Sequence, residues 1–241
     1  MNIAMILAGG VGSRVGAGIP KQFIEVQGKP IIVHTLEAFE ACSAVDAVQV
    51  VCIASYIDEL HRLVERFNLS KVKYVVEGGA TYQDSVINGL NALDGICAPD
   101  DVVAIHFAAG AFITSDIIED SIRVAQEFGN GISSDPVVLC LAEKDASDGD
   151  RSSVIGHDRD RMMGLNSPQS FQYAELRSLY DEGFEKGIFD KIDPHTTSLM
   201  AALGKRLYFS KGSSMNIKIT SPEDVRLFNA YLLSKSEDFE F

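Results

Sequence analysis

The sequence predicts a single α/β domain built on a mainly parallel sheet, and three observations carry that prediction. Short continuous apolar runs, the signature of strands buried on both faces, alternate with stretches of helical periodicity. Short polar loops join them, as in a sheet with helices on both faces. The 241 residues are also enough to bury about 70% of the unfolded chain's surface, so neither a disulfide nor a structural metal is needed to hold the fold.

The elements follow in order. Ile3 to Ala8 is an apolar run that stops at Gly9-Gly10 and reads as a buried strand. A glycine-rich loop follows, holding Gly9, Gly10, Gly12, Gly16, Gly18 and Pro20. Pro30 suits a first helical turn and opens a helix to about Ala41. Val48 to Ala54 is a second buried strand. Ser55 with Asp58 three residues on resembles a capping box, starting a helix to about Phe67. Val72 to Glu77 is a third strand, followed by Gly78-Gly79 and a helix from about Gln83 to Leu93. Val102 to His106 is a fourth strand. Thr114 to Phe128 is a helix with Ile117, Ile118, Ile122 and Ala125 at helical spacing.

The pattern breaks between about 142 and 166, where the chain is polar and turn-rich and Ser153 to Gly156 reads as a short return strand. This segment is expected to form a projecting arm, because the α/β pattern resumes after it. Tyr173 to Lys186 is a helix, and Arg206 to Phe209 and Asn216 to Ile219 are strands. Ser221, as N-cap, and Pro222 start a last helix to about Leu233. The domain is thus expected to span 1–235, with an acidic tail over 236–241.

Composition narrows the function. The 46% hydrophobic and 23% charged fractions exclude a disordered or fibrous chain. A formal net charge of −13 denies the protein the broad positive footprint of a nucleic-acid binder. Within residues 1–30, however, Arg14, Lys21 and Lys29 face only Glu25, so a small anion is expected to bind there. No C-x-x-C pair occurs among Cys42, Cys52, Cys97 and Cys140. They are expected to be free buried thiols, which fits a reducing cytoplasm. No apolar run approaches the ~18 residues of a membrane span, and with no basic residue before it, Ile3 to Ala8 is not read as a signal peptide.

The chemistry concentrates in Leu7-Ala8-Gly9-Gly10-Val11-Gly12-Ser13-Arg14, followed by Pro20-Lys21-Gln22-Phe23 and Gly28-Lys29-Pro30. A glycine-rich loop after a buried strand turns backbone N–H groups toward an anion such as a phosphate, and Arg14 and Lys21 add charge where phosphates would lie. Two common phosphate loops are excluded. Lys29 is followed by Pro30 and not by Ser or Thr, and Val15 stands where the dinucleotide fingerprint needs a third small residue.

Taken with Gly78-Gly79-Ala80-Thr81, Gln83-Asp84-Ser85-Val86, Ser167-Pro168-Gln169-Ser170-Phe171 and Asn216-Ile217-Lys218 through Asp224, this string resembles the cytidylyltransferases of methylerythritol phosphate and ribitol phosphate. The resemblance spans almost the whole chain. It implies a Rossmann-like nucleotide-diphospho-sugar transferase fold with a protruding β-arm, acting in the cytoplasm. It implies that a phosphate oxygen of a small phosphorylated alcohol attacks the α-phosphorus of CTP, releasing pyrophosphate and a CDP-alcohol. By the same resemblance Ala8, Gly9, Gly10 and Gly12 with Arg14 would hold the triphosphate. Lys21 and Lys218 would neutralise charge at the α-phosphate, and Gly79 and Ser85 would meet the cytidine. The arm would join a homodimer, and its Arg159 would reach the partner's alcohol-phosphate site.

Three departures stand against that pattern. The family's His-Asp-Ala-x-Arg-Pro-Phe reads His106-Phe107-Ala108-Ala109-Gly110-Ala111-Phe112 here, so the aspartate that serves Mg²⁺ is Phe107 and the arginine is Gly110. The arginine of the Gly-Gly-Ala-Thr-Arg-Gln string is Tyr82. The late string whose first aspartate also serves the metal aligns with His195-Thr196-Thr197-Ser198. The resemblance implies Mg²⁺, but the sequence shows no ligands for it. Three readings stay open: an enzyme whose Mg²⁺ is held by triphosphate oxygens, water and a carboxylate elsewhere in the chain, a divergent transferase with a changed substrate or metal, or a nucleotide-binding subunit or regulator without turnover. His106 reads as a core histidine.

Overall fold

The computed structural model describes residues 1–10 and 18–236. Gly12 and Arg14 of the glycine-rich loop, and the tail beyond 236, lie outside the described residues. In chain order the strands and helices are β1 (Asn2–Ala8), β2 (Glu25–Val26), β3 (Lys29–Pro30), α1 (Ile31–Ala41), β4 (Ala47–Cys52), α2 (Ile57–Arg66), β5 (Val72–Glu77), α3 (Tyr82–Leu93), β6 (Val102–Phe107), α4 (Ser115–Phe128), β7 (Asn130–Pro136), β8 (Leu141–Ala142), β9 (Gly156–His157), β10 (Met163–Gln172), α5 (Tyr173–Glu185), α6 (Thr196–Ala202), β11 (Phe209–Lys211) and α7 (Pro222–Ser236).

Seven strands form one sheet in the order β11-β7-β10-β6-β1-β4-β5. β10 alone in that sheet runs against its neighbours, β6 and β7. The apolar alternation of β1 explains the layers. Ala4, Ile6 and Ala8 pack on one face with Ile32, Leu36 and Phe39 of α1, Leu60 of α2 and Ile118 of α4. Ile3, Met5 and Leu7 pack on the other with Leu90 of α3, Leu176 of α5 and Met200 of α6. Each face therefore has its own apolar core, as a doubly covered parallel sheet requires. A third, smaller cluster seats α7 through Phe228 against Ile31, Phe112 and Ile219.

The chain leaves β1 for β4 on one side and returns to β6 on the other. This opens a crevice beyond the carboxyl ends of β1 and β6, the place where open α/β sheets receive ligands.

Several local expectations are corrected. Ser55 caps nothing: a 3₁₀ turn over Ala54–Tyr56 occupies that position, and α2 starts after Tyr56 without a side-chain cap. The working capping box is Thr81 with Asp84, which opens α3. The arm's paired strands are Leu141–Ala142 and Gly156–His157, not Ser153 to Gly156. β11 begins at Phe209, and 216–219 is not a strand but a connection held by single hydrogen bonds. β7 and β10 were not expected at all. Both are rich in Ser, Asn and Pro, so neither shows an apolar run. All four cysteines are free and two are buried, but Cys140 is exposed.

Candidate nucleotide and acceptor site

The floor of the crevice is the end of β1. The buried Gln22, on the 3₁₀ turn Lys21–Phe23, donates from Nε2 to the carbonyls of Ala8 (2.8 Å) and Gly10 (3.0 Å). It thereby ties the start of the glycine-rich loop to the segment that carries Lys21. Phe23 anchors that turn by stacking on Tyr56, ring centroids 4.5 Å apart. In the sequence Gln22 stands only as part of the Pro20-Lys21-Gln22-Phe23 string; its burial and its bonds to the end of β1 emerge from the fold.

The wall opposite is the start of α3. The Gly79 N–H donates to Ser85 Oγ (3.1 Å), which itself donates to the Thr81 carbonyl (2.9 Å). Gly79 is required by close approach: a Cβ there would stand 2.2 Å from the Asp84 Cβ and 2.9 Å from its carbonyl carbon. Gly9 approaches the same hydroxyl, with a Cβ falling 3.2 Å from Ser85 Oγ.

Lys218 arrives on the connection before α7. The side chain of buried Asn216 donates to the Ser167 carbonyl (2.6 Å), Asn166 Nδ2 donates to the Asn216 carbonyl, and the Ile219 N–H donates to the Ala109 carbonyl (2.9 Å). These bonds stretch the segment across the carboxyl end of β6 and the middle of the antiparallel β10. A second capping arrangement follows, with Thr220 and Ser221 N–H groups donating to Asp224.

These walls enclose a cavity of about 300 Å³ that Gly9, Gly10, Lys21, Gly79, Ser85 and Lys218 help to line. No acidic side chain is among its described lining residues. In a chain of net charge −13, two lysines converging on glycine-rich backbone favour an anion. The structure therefore brings together Gly9, Gly10, Lys21, Gly79, Ser85 and Lys218, with Ala8 at the strand end beneath. It does not bring Arg159 in. That residue lies exposed in the arm, its guanidinium donating to the Val138 carbonyl (2.7 Å).

A second cavity of about 480 Å³ adjoins the first, sharing Phe107 and Lys218 with it and adding Asn166, Gln169, Asp193, His195 and Ser198. Gln169 is buried, and its Oε1 has no hydrogen-bond partner among the described residues. Asp193 is the carboxylate the sequence did not single out. It binds His195 Nδ1, and that contact holds its own carboxyl below the usual range.

The three departures from the family pattern, far apart in the chain, meet at the junction of the two cavities. The ring centroids of Tyr82 and Phe107 are 6.1 Å apart, those of Phe107 and His195 6.0 Å, and those of Tyr82 and His195 5.3 Å. The Lys218 Nζ lies 3.4 Å from the centroid of the Phe107 ring. Tyr82 is also fixed through its hydroxyl, 3.1 Å from Thr196 Oγ1. Burial pushes that phenol up to about 12, so it stays neutral.

These residues do not fit a protein-held Mg²⁺. No group of three or more His, Cys, Asp or Glu among the described residues is arranged to hold a metal ion. Phe107 offers no oxygen to a hard cation, and His195 Nδ1 is taken up by Asp193.

His106 precedes this cluster on β6 but faces the opposite side of the sheet. It is fully buried against Phe39, ring centroids 5.2 Å apart. Its Nε2 lies 2.9 Å from the Gly110 carbonyl; a carbonyl only accepts, so this nitrogen carries the proton. Burial pushes the imidazole down to about 4, and the Lys218 charge adds to that. His106 is thus a neutral core histidine, as the sequence reading expected. A Cβ on Gly110 would stand 2.5 Å from His106 Nε2, so this backbone path leaves no room for the family's arginine.

Comparison with known proteins agrees with this architecture. The family model for 2-C-methyl-D-erythritol 4-phosphate cytidylyltransferase (IspD) matches residues 2–234. A ribitol-5-phosphate cytidylyltransferase of Streptococcus agalactiae is 42% identical over 235 residues, 95% of each chain. A 2-C-methyl-D-erythritol 4-phosphate cytidylyltransferase of Clostridium perfringens is 39% identical, covering 93% of this chain and 96% of that one. Among solved structures, a 4-diphosphocytidyl-2C-methyl-D-erythritol synthase superposes with a TM-score of 0.76 at 26% identity, covering 96% of this chain and 98% of the other. The Anaerococcus prevotii synthase, at 22% identity and a TM-score of 0.79 over 97% and 98% of the two chains, shares the fold.

Proposed function

The chain belongs to the 2-C-methyl-D-erythritol 4-phosphate cytidylyltransferase family, and from that premise we propose that it transfers CMP from CTP to a phosphorylated polyol. The observation that carries this reading is the meeting of Lys21 and Lys218, from opposite ends of the chain, over one glycine-lined cavity with no acidic side chain among its described lining residues. In the reaction a phosphate oxygen of the polyol forms a new bond to the α-phosphorus. The bond from that phosphorus to the bridging oxygen of the β-phosphate breaks, and pyrophosphate leaves with the electron pair. Such chemistry needs positioning and charge neutralisation more than covalent help.

Each residue has a physical task in this reading. The Gly9 and Gly10 backbone, pinned through Gln22, admits the triphosphate close to the main chain. Gly79 and Ser85, locked by the capped start of α3, receive the cytidine. Lys21 and Lys218 approach the reacting phosphates from two sides, and Lys218 alone of the two also lines the second cavity, where the polyol phosphate would sit. Gly12 and Arg14 are proposed to complete the triphosphate contact. The named relatives divide between ribitol and methylerythritol phosphates, so the acceptor is stated as the class they share.

The arm is proposed to pair two copies of the chain. What supports this is its uncovered apolar side chains, with Val154 90% and Ile155 49% exposed. Arg159 is then the residue that would reach the partner's acceptor cavity.

The test is a pyrophosphate-release assay with CTP, Mg²⁺ or Mn²⁺, and ribitol, methylerythritol and glycerol phosphates, with CTP calorimetry alongside. Release with one of them names the acceptor. The aromatic cluster in place of the metal carboxylates favours a second reading, a nucleotide-binding subunit without turnover; tight CTP binding with no release from any acceptor would establish it.

A further inference from the structure

The residues at the junction replace something and also build something. Phe107 is only partly buried, yet its ring is boxed by Tyr82 on one side and His195 on another, the latter edge-on at 85°. His195 is in turn held by Asp193, and Tyr82 by Thr196. The face left between them carries the Lys218 ammonium, 3.4 Å from the ring centroid. A lysine has a long flexible stem, and holding its head at one point costs rotamer entropy. An aromatic face attracts an ammonium through its quadrupole, most strongly where water is thin. Here the ammonium is held where the nucleotide and acceptor cavities meet.

We propose that Phe107 is a positioning residue: its ring fixes Lys218 over the reacting phosphates, so that a ring-held ammonium supplies the positive charge that a carboxylate-held metal supplies in the family pattern. Tyr82 and His195 set the angle of that ring. The protein itself then holds no divalent ion at the junction, and its grip on the triphosphate does not depend on one. Turnover in the experiment below presupposes cytidylyl transfer; the binding measurement does not.

The experiment compares wild type with Phe107→Leu, which removes the ring and keeps apolar bulk, and Phe107→Tyr, which keeps the ring. CTP affinity is measured by calorimetry in EDTA, and pyrophosphate release is measured separately with Mg²⁺ and the polyol phosphates. Wild type is expected to bind CTP in EDTA. Phe107→Leu should lose about twofold to thirtyfold in affinity, the span of a cation–π contact, while Phe107→Tyr keeps most of it; kcat should fall in the same order. Phe107→Met replaces the leucine variant if circular dichroism shows that variant misfolded. Equal affinity of the leucine variant and wild type overturns the proposal, as does an equal loss in the leucine and tyrosine variants. So does a wild type that binds CTP only when a divalent ion is present. Absence of turnover in wild type with every polyol phosphate refutes the transferase reading alone and leaves the calorimetric result to decide the role of the ring.

Discussion

Acid should weaken this protein through His106 before it reaches the carboxylates. The imidazole is fully buried, and burial with the Lys218 charge nearby lowers it from 6.5 to about 4. The unfolded chain therefore takes up a proton near pH 6.5, while the folded chain refuses it until about pH 4. Between those values the unfolded state binds more protons, so stability is lost as pH falls, at most by ~1.4 kcal/mol per pH unit. Integrating between pH 7 and pH 5 gives a loss of about 2 kcal/mol from this one group. For a urea m-value of roughly 2–3 kcal/mol/M, the unfolding midpoint should drop by roughly 0.7–1 M over that interval. The assay is urea denaturation at pH 7 and pH 5 for wild type and His106→Gln, whose amide retains a donor toward the Gly110 carbonyl but does not titrate. The variant should lose about 2 kcal/mol less than wild type over the interval. Asp116 titrates far lower, held to about 2 by Lys211 and Thr114, so it contributes below this window. Equal pH slopes in the two proteins would refute the reasoning, as would a ring titration of His106 near 6.5 in the folded state by NMR.

Other consequences are equally direct. Gly79→Ala forces a methyl into Asp84; it should weaken CTP binding more than tenfold and, by disturbing a capping box worth ~1 kcal/mol, lower the thermal midpoint by roughly 2–4 °C. Calorimetry showing wild-type CTP affinity would remove Gly79 from the site. Lys21→Ala should weaken triphosphate engagement and abolish turnover, and an unchanged CTP affinity and rate would end its assignment. Deleting residues 143–157 should yield monomers, and sedimentation of an intact dimer would refute the arm as the interface.

Much of the site could be read without coordinates because its signals are local. Gly9-Gly10 after an apolar run marks a strand end that can accept an anion, and Gly78-Gly79 before the Thr81 and Asp84 cap marks the opposite wall. The apolar runs of β1, β4 and β6 announce strands buried on both faces, because such strands have no polar side to show. The departures at Phe107, Tyr82 and His195 were also visible as letters.

What the letters did not contain is where they meet. Tyr82, Phe107 and His195 sit on three different elements, and only the sheet order and the start of α6 bring their rings within about 6 Å of one another. Lys218 joins them because Asn216 and Ile219 bond to backbone from β10 and from the turn after β6, contacts with no sequence periodicity. The strands β7 and β10 were hidden for a related reason. Their buried Asn130, Ser134 and Ser170 look like loop residues until partners across the fold satisfy them. Asn130 donates to the Arg206 carbonyl, and Ser170 Oγ lies 2.7 Å from Ser121 Oγ. By itself the sequence determined the apolar strands, the helices on both faces and the anion-binding loop, since burial and backbone approach write their requirements locally. The polar strands, the aromatic junction and the place of Lys218 were decided by tertiary structure, because burying a polar group or a charge costs free energy that a partner supplied by the fold offsets.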